Sequence, residues 1–329
     1  MCLPIAEGIR NTFPEAEITW LARPYLKGLA AYRSDLFNNF QPLEPHFEGS
    51  TAQLLAFGKK LRKRHFDKAF LFTGHFKGPL LARLAGIPRI YGPSQWYFSF
   101  LFSSTVLLPK RRIRDRHDQE YLVDFFGKQG VLNIGEKPRL RNIPHMESEL
   151  KRAFLDGRPR PYLMVHAGSS GGEAKRWSPE HFASICRQFG HETGGTVFLL
   201  GNEDEMALNQ HIQKRAQLGE AVVNLVGKTS LKEAIGLIGL CNLMISNDSG
   251  MMHVASAWSR PHITLFGPTD PQLVFPKTGP GTFFQLDMEC IPCHKRQCPL
   301  GHHGCMRELL PENVWREGVA PMLARIQAH

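Results

Sequence analysis

The strongest chemical signal in the 329-residue chain is the run Ser246-Asn247-Asp248-Ser249-Gly250-Met251-Met252-His253. It leads from a short apolar stretch through a glycine-containing turn into a helical pattern. A helix start leaves backbone N–H groups unpaired and carries the positive end of the dipole, which suits a phosphate or the hydroxyls beside it. Asp248 can accept from ligand hydroxyls or cap the helix, and Gly250 lets a ligand approach the backbone. His253, one turn in, can donate to a phosphate. A lone Asp-Ser-Gly would mean no more than a capped helix. A second run changes that: His166-Ala167-Gly168-Ser169-Ser170-Gly171-Gly172-Glu173-Ala174-Lys175-Arg176-Trp177. Its Ser169 and Ser170 bring hydroxyls, its glycines expose N–H groups, and Lys175 adds a point charge for phosphate. The Gly-Lys-Ser/Thr order of a Walker loop is missing. Gly201-Asn202-Glu203-Asp204 and Gly267-Pro268-Thr269-Asp270-Pro271 complete four loops. If each follows a strand, together they make a nucleotide cleft.

Short apolar runs alternating with helical patterns predict parallel sheets with crossover helices. In the first half helices are expected at 5–13, 52–64 and 80–85, and extended segments at 17–21, 68–72 and 89–91. In the second half strands are expected at 162–166, 197–200, 222–225, 243–246 and 262–266, with helices at 179–189, 231–240 and 251–257. The stretch from Glu136 to Pro161, rich in Pro and Arg, reads as a linker. Two doubly wound α/β domains, 1–150 and 151–329, with a ligand cleft at the strand carboxyl ends, are the expectation. The chain opens on a helix where such a domain normally opens on a central buried strand. That omission predicts a gap in the first sheet.

The formal net charge is +10, and its placement is informative. Residues 1–155 hold 24 Lys/Arg against 14 Asp/Glu, and residues 156–329 hold 16 of each. The surplus therefore belongs to the first half. It gathers in Lys59, Lys60, Arg62, Lys63 and Arg64, and in Lys110, Arg111, Arg112, Arg114 and Arg116. The second cluster follows the apolar run from Trp96 to Leu108, so an anionic membrane surface is one partner to weigh, against an ordinary core element ending in a charged loop. No zinc-finger, RNP or basic-zipper pattern points to nucleic acid. Apolar content of 42% excludes a disordered chain. No run of about 18 apolar residues spans a membrane. Seven cysteines without a secretory leader pattern point to reduced thiols and a cytoplasmic setting.

The ordered motifs resemble glycosyltransferase family 9, the ADP-heptose–lipopolysaccharide heptosyltransferases. The residues that carry the resemblance are His166 to Trp177, Asp248-Ser249-Gly250-x-x-His253-x-Ala255, and Phe266-Gly267-Pro268-Thr269-Asp270-Pro271. In the first half Phe13-Pro14-Glu15-Ala16-Glu17, Leu80 to Gly86 and His117-x-x-Glu120-Tyr121-Leu122 also look like family landmarks. Cys290-Ile291-Pro292-Cys293, with Cys298-Pro299, Gly301-His302 and Cys305, resembles the heptosyltransferase II branch. The resemblance implies a GT-B fold, two Rossmann-like domains facing a central cleft, and an inverting transferase. An ADP-L-glycero-D-manno-heptose donor would meet Asp248, Ser249, Gly250 and His253, with its diphosphate on Ser169, Ser170 and Lys175. The acceptor would be the anionic lipopolysaccharide inner core, reached from the cytoplasmic face of the inner membrane. No cofactor is implied.

At one point the chain departs from the family. Members carry a strand and a Gly-Asp loop whose Asp is the presumed base, and here Met1-Cys2-Leu3-Pro4 precedes the helix. The expectation is an N-terminal truncation with the catalytic residue unassigned; Glu7 is the nearest carboxylate, and nothing marks it as a replacement. Transfer of another nucleotide-activated sugar, or a catalytically silent GT-B binding protein, are the competing readings. The cysteines at 290, 293, 298 and 305 are separated by two, four and six residues, unlike paired C-x-x-C knuckles. Loop thiols are the expected reading and no metal is assigned, with zinc as the alternative.

Overall fold

A computed structural model describes residues 2–43, 50–107 and 117–327, and the chain divides into two compact units, Met1–Pro138 and Arg139–His329. The division falls at Pro138 instead of residue 150. The stretch expected as a linker contains a helix, Pro144–Leu150, that buries Met146 and Leu150 within the second unit. Leu140 N–H also donates to Ala257 O at 3.1 Å, tying this stretch down.

The first unit begins with α1 (Leu3–Thr12), which has proline in its first turn, where the missing N–H costs nothing. Its Ile5 and Ile9, four apart on one face, pack with Leu122, Phe125 and Phe126 of a later helix, Asp118–Lys128. Then come β1 (Thr19–Ala22) and β2 (Asn39–Pro42), which pair in parallel, Thr19 opposite Asn39. The next helix, α2 (Thr51–Arg62), is started by a capping box in which Ser50 and Gln53 bond each other's backbone N–H. It buries Leu54, Phe57 and Leu61 and leaves Lys59, Lys60, Arg62, Lys63 and Arg64 exposed. The first basic cluster is thus solvated surface. The strands β3 (Lys68–Phe70), β4 (Arg89–Ser94) and β5 (Ser104–Leu107) form a second, separate parallel sheet in that order.

Among the described residues this unit's strands form two sheets instead of one, β1-β2 and β3-β4-β5. That is the gap the sequence predicts. The hydroxyl of Thr19 on β1 is buried without a partner. Aromatic packing spans the break: Phe13 stands 6.3 Å from Phe70 of β3, and the Lys68 ammonium lies 4.0 Å above the Phe13 ring. The apolar run from Trp96 divides between two roles. Phe98, Leu101 and Phe102 are buried, whereas Trp96, Tyr97 and Phe100 are 77%, 58% and 74% exposed. The basic cluster from Lys110 to Arg116 lies outside the described residues.

The second unit is one six-stranded parallel sheet. Its strands are β6 (Tyr162–His166), β7 (Thr196–Leu200), β8 (Val222–Asn224), β9 (Leu243–Asn247), β10 (His262–Leu265) and β11 (Gly281–Phe284). Across the sheet they lie in the order β11-β10-β9-β6-β7-β8. Every residue of β6, β7, β9 and β10 is buried, as a sheet covered on both faces requires. Crossover helices are bounded by signals legible in the chain. Helix α3 (Pro179–Thr193) starts at Ser178, whose hydroxyl accepts from Glu180 N–H, and ends at Gly194 with φ +65°. Helix α4 (Leu231–Leu240) starts with a Ser230–Glu233 capping box. Three strands escaped the sequence reading, β2, β5 and β11. Asn-Phe-Gln-Pro and Ser-Thr-Val-Leu lack a buried apolar run, and all three lie at sheet edges where only partial burial is demanded.

Candidate functional site

From β6 the chain winds outward one way through β7 to β8, and from β9 the other way through β10 to β11. The reversal between β6 and β9 is a topological switch point, where doubly wound folds open a crevice at the strand carboxyl ends. The two strongest motifs leave the sheet there, from His166 and from Asn247.

Asn247, fully buried, fastens the two loops together. Its Nδ2 donates to Ala167 O at 2.6 Å and its Oδ1 accepts from Trp177 N–H at 3.0 Å, gripping the Gly/Ser loop at both ends. Trp177 is anchored further by its indole N–H, which donates to Leu309 O at 2.8 Å. Lys175 Nζ lies 2.5 Å from Asp248 Oδ2, with side chains 19% and 8% exposed. Ser249, not Asp248, caps the following helix, α5 (Gly250–Ala257), its hydroxyl accepting from Met251 N–H at 3.3 Å. Asp248 is committed to Lys175 because an ammonium removed from water needs a counter-charge. A Cβ added at Gly250 would meet nothing within 4 Å, so the helix start opens onto free space. His253 is half-buried on the first turn of that helix.

Beneath the loops lies a buried polar pair that the sequence reading left without a role. His166 Nδ1 stands 3.3 Å from the Ser249 hydroxyl, and its Nε2 stands 3.9 Å from Glu205 Oε2. Burial lowers the His166 pKa, an effect that the Glu205 charge partly offsets, so the imidazole is neutral near pH 7. Glu205 also accepts from Asn202 N–H at 3.0 Å, which binds the β7 loop into the same cluster. Gly168 is required by this arrangement, since a Cβ there would overlap the Glu205 carboxylate. The fourth loop is held by Asp270, which caps a short helix, and by Gln285, which donates to Gly267 O and Thr269 O at 3.0 and 2.8 Å.

Beside this cluster runs an open groove of about 660 Å³, lined by Ser169, Ser170, Gly172, Glu173, Arg176, Asn202, Asp204, Glu205, Arg296 and Gln297. Of the expected residues only Ser169 and Ser170 line it. Lys175, Asp248 and Ser249 are joined to one another's loops behind it, and Gly250 and His253 stand on the adjoining helix. Arg176 and Arg296 are cations that motif reading passed over. Arg296 comes from the cysteine-containing stretch, and its carbonyl accepts from Ala174 N–H at 3.0 Å. Only the fold brings that stretch to the Gly/Ser loop. In the first unit Glu7 is engaged elsewhere, 3.5 Å from the buried Arg33 guanidinium.

Comparison with known proteins identifies the family. Residues 54–303 match the model of glycosyltransferase family 9 (heptosyltransferase). The chain is 32% identical over 330 residues to a lipooligosaccharide heptosyltransferase 2 of Haemophilus ducreyi, covering 94% of this chain and 91% of that protein. It is 34% identical over 267 residues to one from Campylobacter jejuni serotype O:2, covering 80% and 76%. The match to the serotype O:6 protein, also 34% identical, spans 47% of this chain and about half, 49%, of that protein. Among solved structures, the Escherichia coli ADP-heptose lps heptosyltransferase II superposes with a TM-score of 0.81 at 23% identity, covering 99% of this chain and 95% of that one. The fold is GT-B, two Rossmann-like domains, with the strands of the first divided between two sheets as described. The chain belongs to glycosyltransferase family 9.

Proposed function

We propose that this chain transfers heptose from ADP-L-glycero-D-manno-heptose to the lipopolysaccharide inner core, with the donor on the second unit and the acceptor received by the first. The observation that carries the reading is the Lys175–Asp248 pair at the switch point, set between a hydroxyl-bearing groove and the open start of α5. In the transfer, an acceptor hydroxyl oxygen attacks the anomeric carbon from the face opposite the diphosphate. The bond to ADP breaks and the hydroxyl proton passes to a base. Charge grows on the departing phosphate, and groups that bind it more strongly in the transition state lower the barrier. Ser169 and Ser170 supply hydroxyls, Lys175 supplies charge with Asp248 holding it in place, and Ser249, Gly250 and His253 present the helix start. Arg296 extends the positive side of the groove.

The test is calorimetric titration of ADP, ADP-heptose and a uridine diphosphate sugar, followed by a mass-resolved transfer assay on heptose-deficient core acceptor. Tight ADP-heptose binding with a gain of one heptose is expected. Preference for the uridine compound would refute the donor assignment, and binding without turnover would make the chain a silent GT-B protein.

The same reading places the enzyme at the cytoplasmic face of the inner membrane. Among the described residues no helix is long and apolar enough to cross a membrane. Exposed Trp96, Tyr97 and Phe100, followed in the sequence by the basic run from Lys110, suit an anionic lipid surface, with the rings at headgroup depth. Co-sedimentation with vesicles containing phosphatidylglycerol should fall on Trp96→Ser with Phe100→Ser. Unchanged sedimentation would remove this surface from the account.

A further inference from the structure

Four of the seven cysteines, Cys290, Cys293, Cys298 and Cys305, fall within one short segment that the transfer reaction does not use. The fold brings all four to one place. They line a single small cavity of about 20 Å³, which is closed by Ala174, Pro268, Ile291, Pro299 and Leu300 and bordered by His302 and His303. That volume holds one particle the size of a water molecule. None of the four is in a disulfide. The turn that follows Cys298 is closed by Gly301 N–H, which donates to Cys298 O at 3.2 Å. Gly301 at φ +73° and His303 at φ +53° make that winding possible. Among the described residues no three ligands already stand in metal-binding geometry. The four cysteines line the cavity, and ligation requires their side chains to turn toward its centre.

The segment is also fastened to the loops of the switch point. His294 N–H donates to Pro268 O at 2.7 Å, and Ala174, which closes the cavity, donates its N–H to Arg296 O. A Cβ at Gly172 would collide with the Arg296 carbonyl, so the two backbones are in direct contact.

We propose that Cys290, Cys293, Cys298 and Cys305 form a tetrathiolate site for one zinc ion, which fixes the cysteine segment and so sets Arg296 against the Ser169–Lys175 loop. Four sulfur ligands close the coordination sphere, so the ion is structural and takes no part in transfer. Binding converts four thiols to thiolates and releases their protons to solvent. The metal site stands independently of the donor assignment; only the consequence for Arg296 rests on it.

The test uses the full chain without an affinity tag, purified under reducing conditions. Metal is measured by mass spectrometry after zinc loading and desalting. About one equivalent is expected, falling at least fivefold in Cys290→Ser and Cys293→Ser. Because these variants can fail to fold, the wild-type chain is also stripped and titrated with cobalt(II). Thiolate-to-cobalt charge-transfer bands with intense tetrahedral ligand-field bands are expected at one equivalent. The proposal is overturned by less than about a tenth of an equivalent of zinc, by cobalt spectra without thiolate bands, by bound iron in place of zinc, or by a Cys290–Cys293 disulfide in the reduced preparation. All readouts are taken without nucleotide, so a failure of ADP binding leaves them untouched.

Discussion

Replacing Asn247 by alanine tests whether one side chain organises the switch point. The residue is fully buried and holds Ala167 O and Trp177 N–H, both on residues that are 1% exposed. Neither backbone group has water to turn to once the amide is gone. A buried group left unpaired costs about 1–3 kcal/mol, so the two together cost about 2–6 kcal/mol. For a unit of this size that lowers the midpoint of thermal unfolding by roughly 4–24 °C. The loop between those anchors carries Ser169, Ser170 and Lys175, so its loosening should also weaken ADP binding. Asn247→Asp keeps the acceptor for Trp177 but loses the donor for Ala167 and sets a carboxylate against that carbonyl, so it should be no better tolerated. Scanning calorimetry with and without ADP, supported by urea titration, reads both effects. A loss of less than about 1 kcal/mol with unaltered ADP affinity would refute the argument, because it would mean the loop is held by something else.

Lys175→Ala should weaken ADP-heptose binding by about 10- to 100-fold, the worth of a charge-assisted hydrogen bond, with Lys175→Arg recovering part of it in a calorimetric titration. Gly168→Ala should displace the Glu205 carboxylate it would overlap, and cost about 1–3 kcal/mol by urea unfolding; a neutral result would mean that Glu205 moves freely. Stability should also depend on pH through buried histidines. Desolvation lowers the folded pKa of His166, His262 and His181 below the ordinary value of 6.5. The unfolded chain therefore takes up protons first, and stability present above pH 6.5 is lost as pH falls through the folded values. A melting temperature that is flat between pH 7.5 and 5.5, or that rises on acidification, contradicts this. Glu180, lowered to about 2 chiefly by its bond from Ser178, adds a separate contribution lost only below about pH 4.5.

The second unit was largely legible because its demands are local. Strands buried on both faces must be uniformly apolar, and their helices are marked by Ser178-Pro179, Gly194 and the Ser230–Glu233 box. The first unit was harder to read, since half-buried edge strands such as Asn39–Pro42 carry no such mark. Within the site, the order Asp248-Ser249-Gly250 locates the helix start, but not that Asp248 faces Lys175 while Ser249 caps. Glu205 and Arg296 were not legible as site residues. Each reaches the crevice from a different part of the chain, and only the strand order makes them neighbours of Ser169.

The division of the first unit's strands into two sheets has a consequence for local unfolding. In the second unit one ladder joins six strands, so an opening of β6 must disrupt its pairing on both sides. In the first, β1 and β3 each have a neighbour on one side only, and Phe13 packing on Phe70 replaces backbone bonds across the break. Side-chain contacts yield to small fluctuations that a ladder resists. Amide hydrogens of Trp20 and Leu21 should therefore exchange with solvent orders of magnitude faster than those of Met164 and Val165. The chain pairs a stiff half, held by one continuous ladder, with a compliant half whose two sheets can open separately.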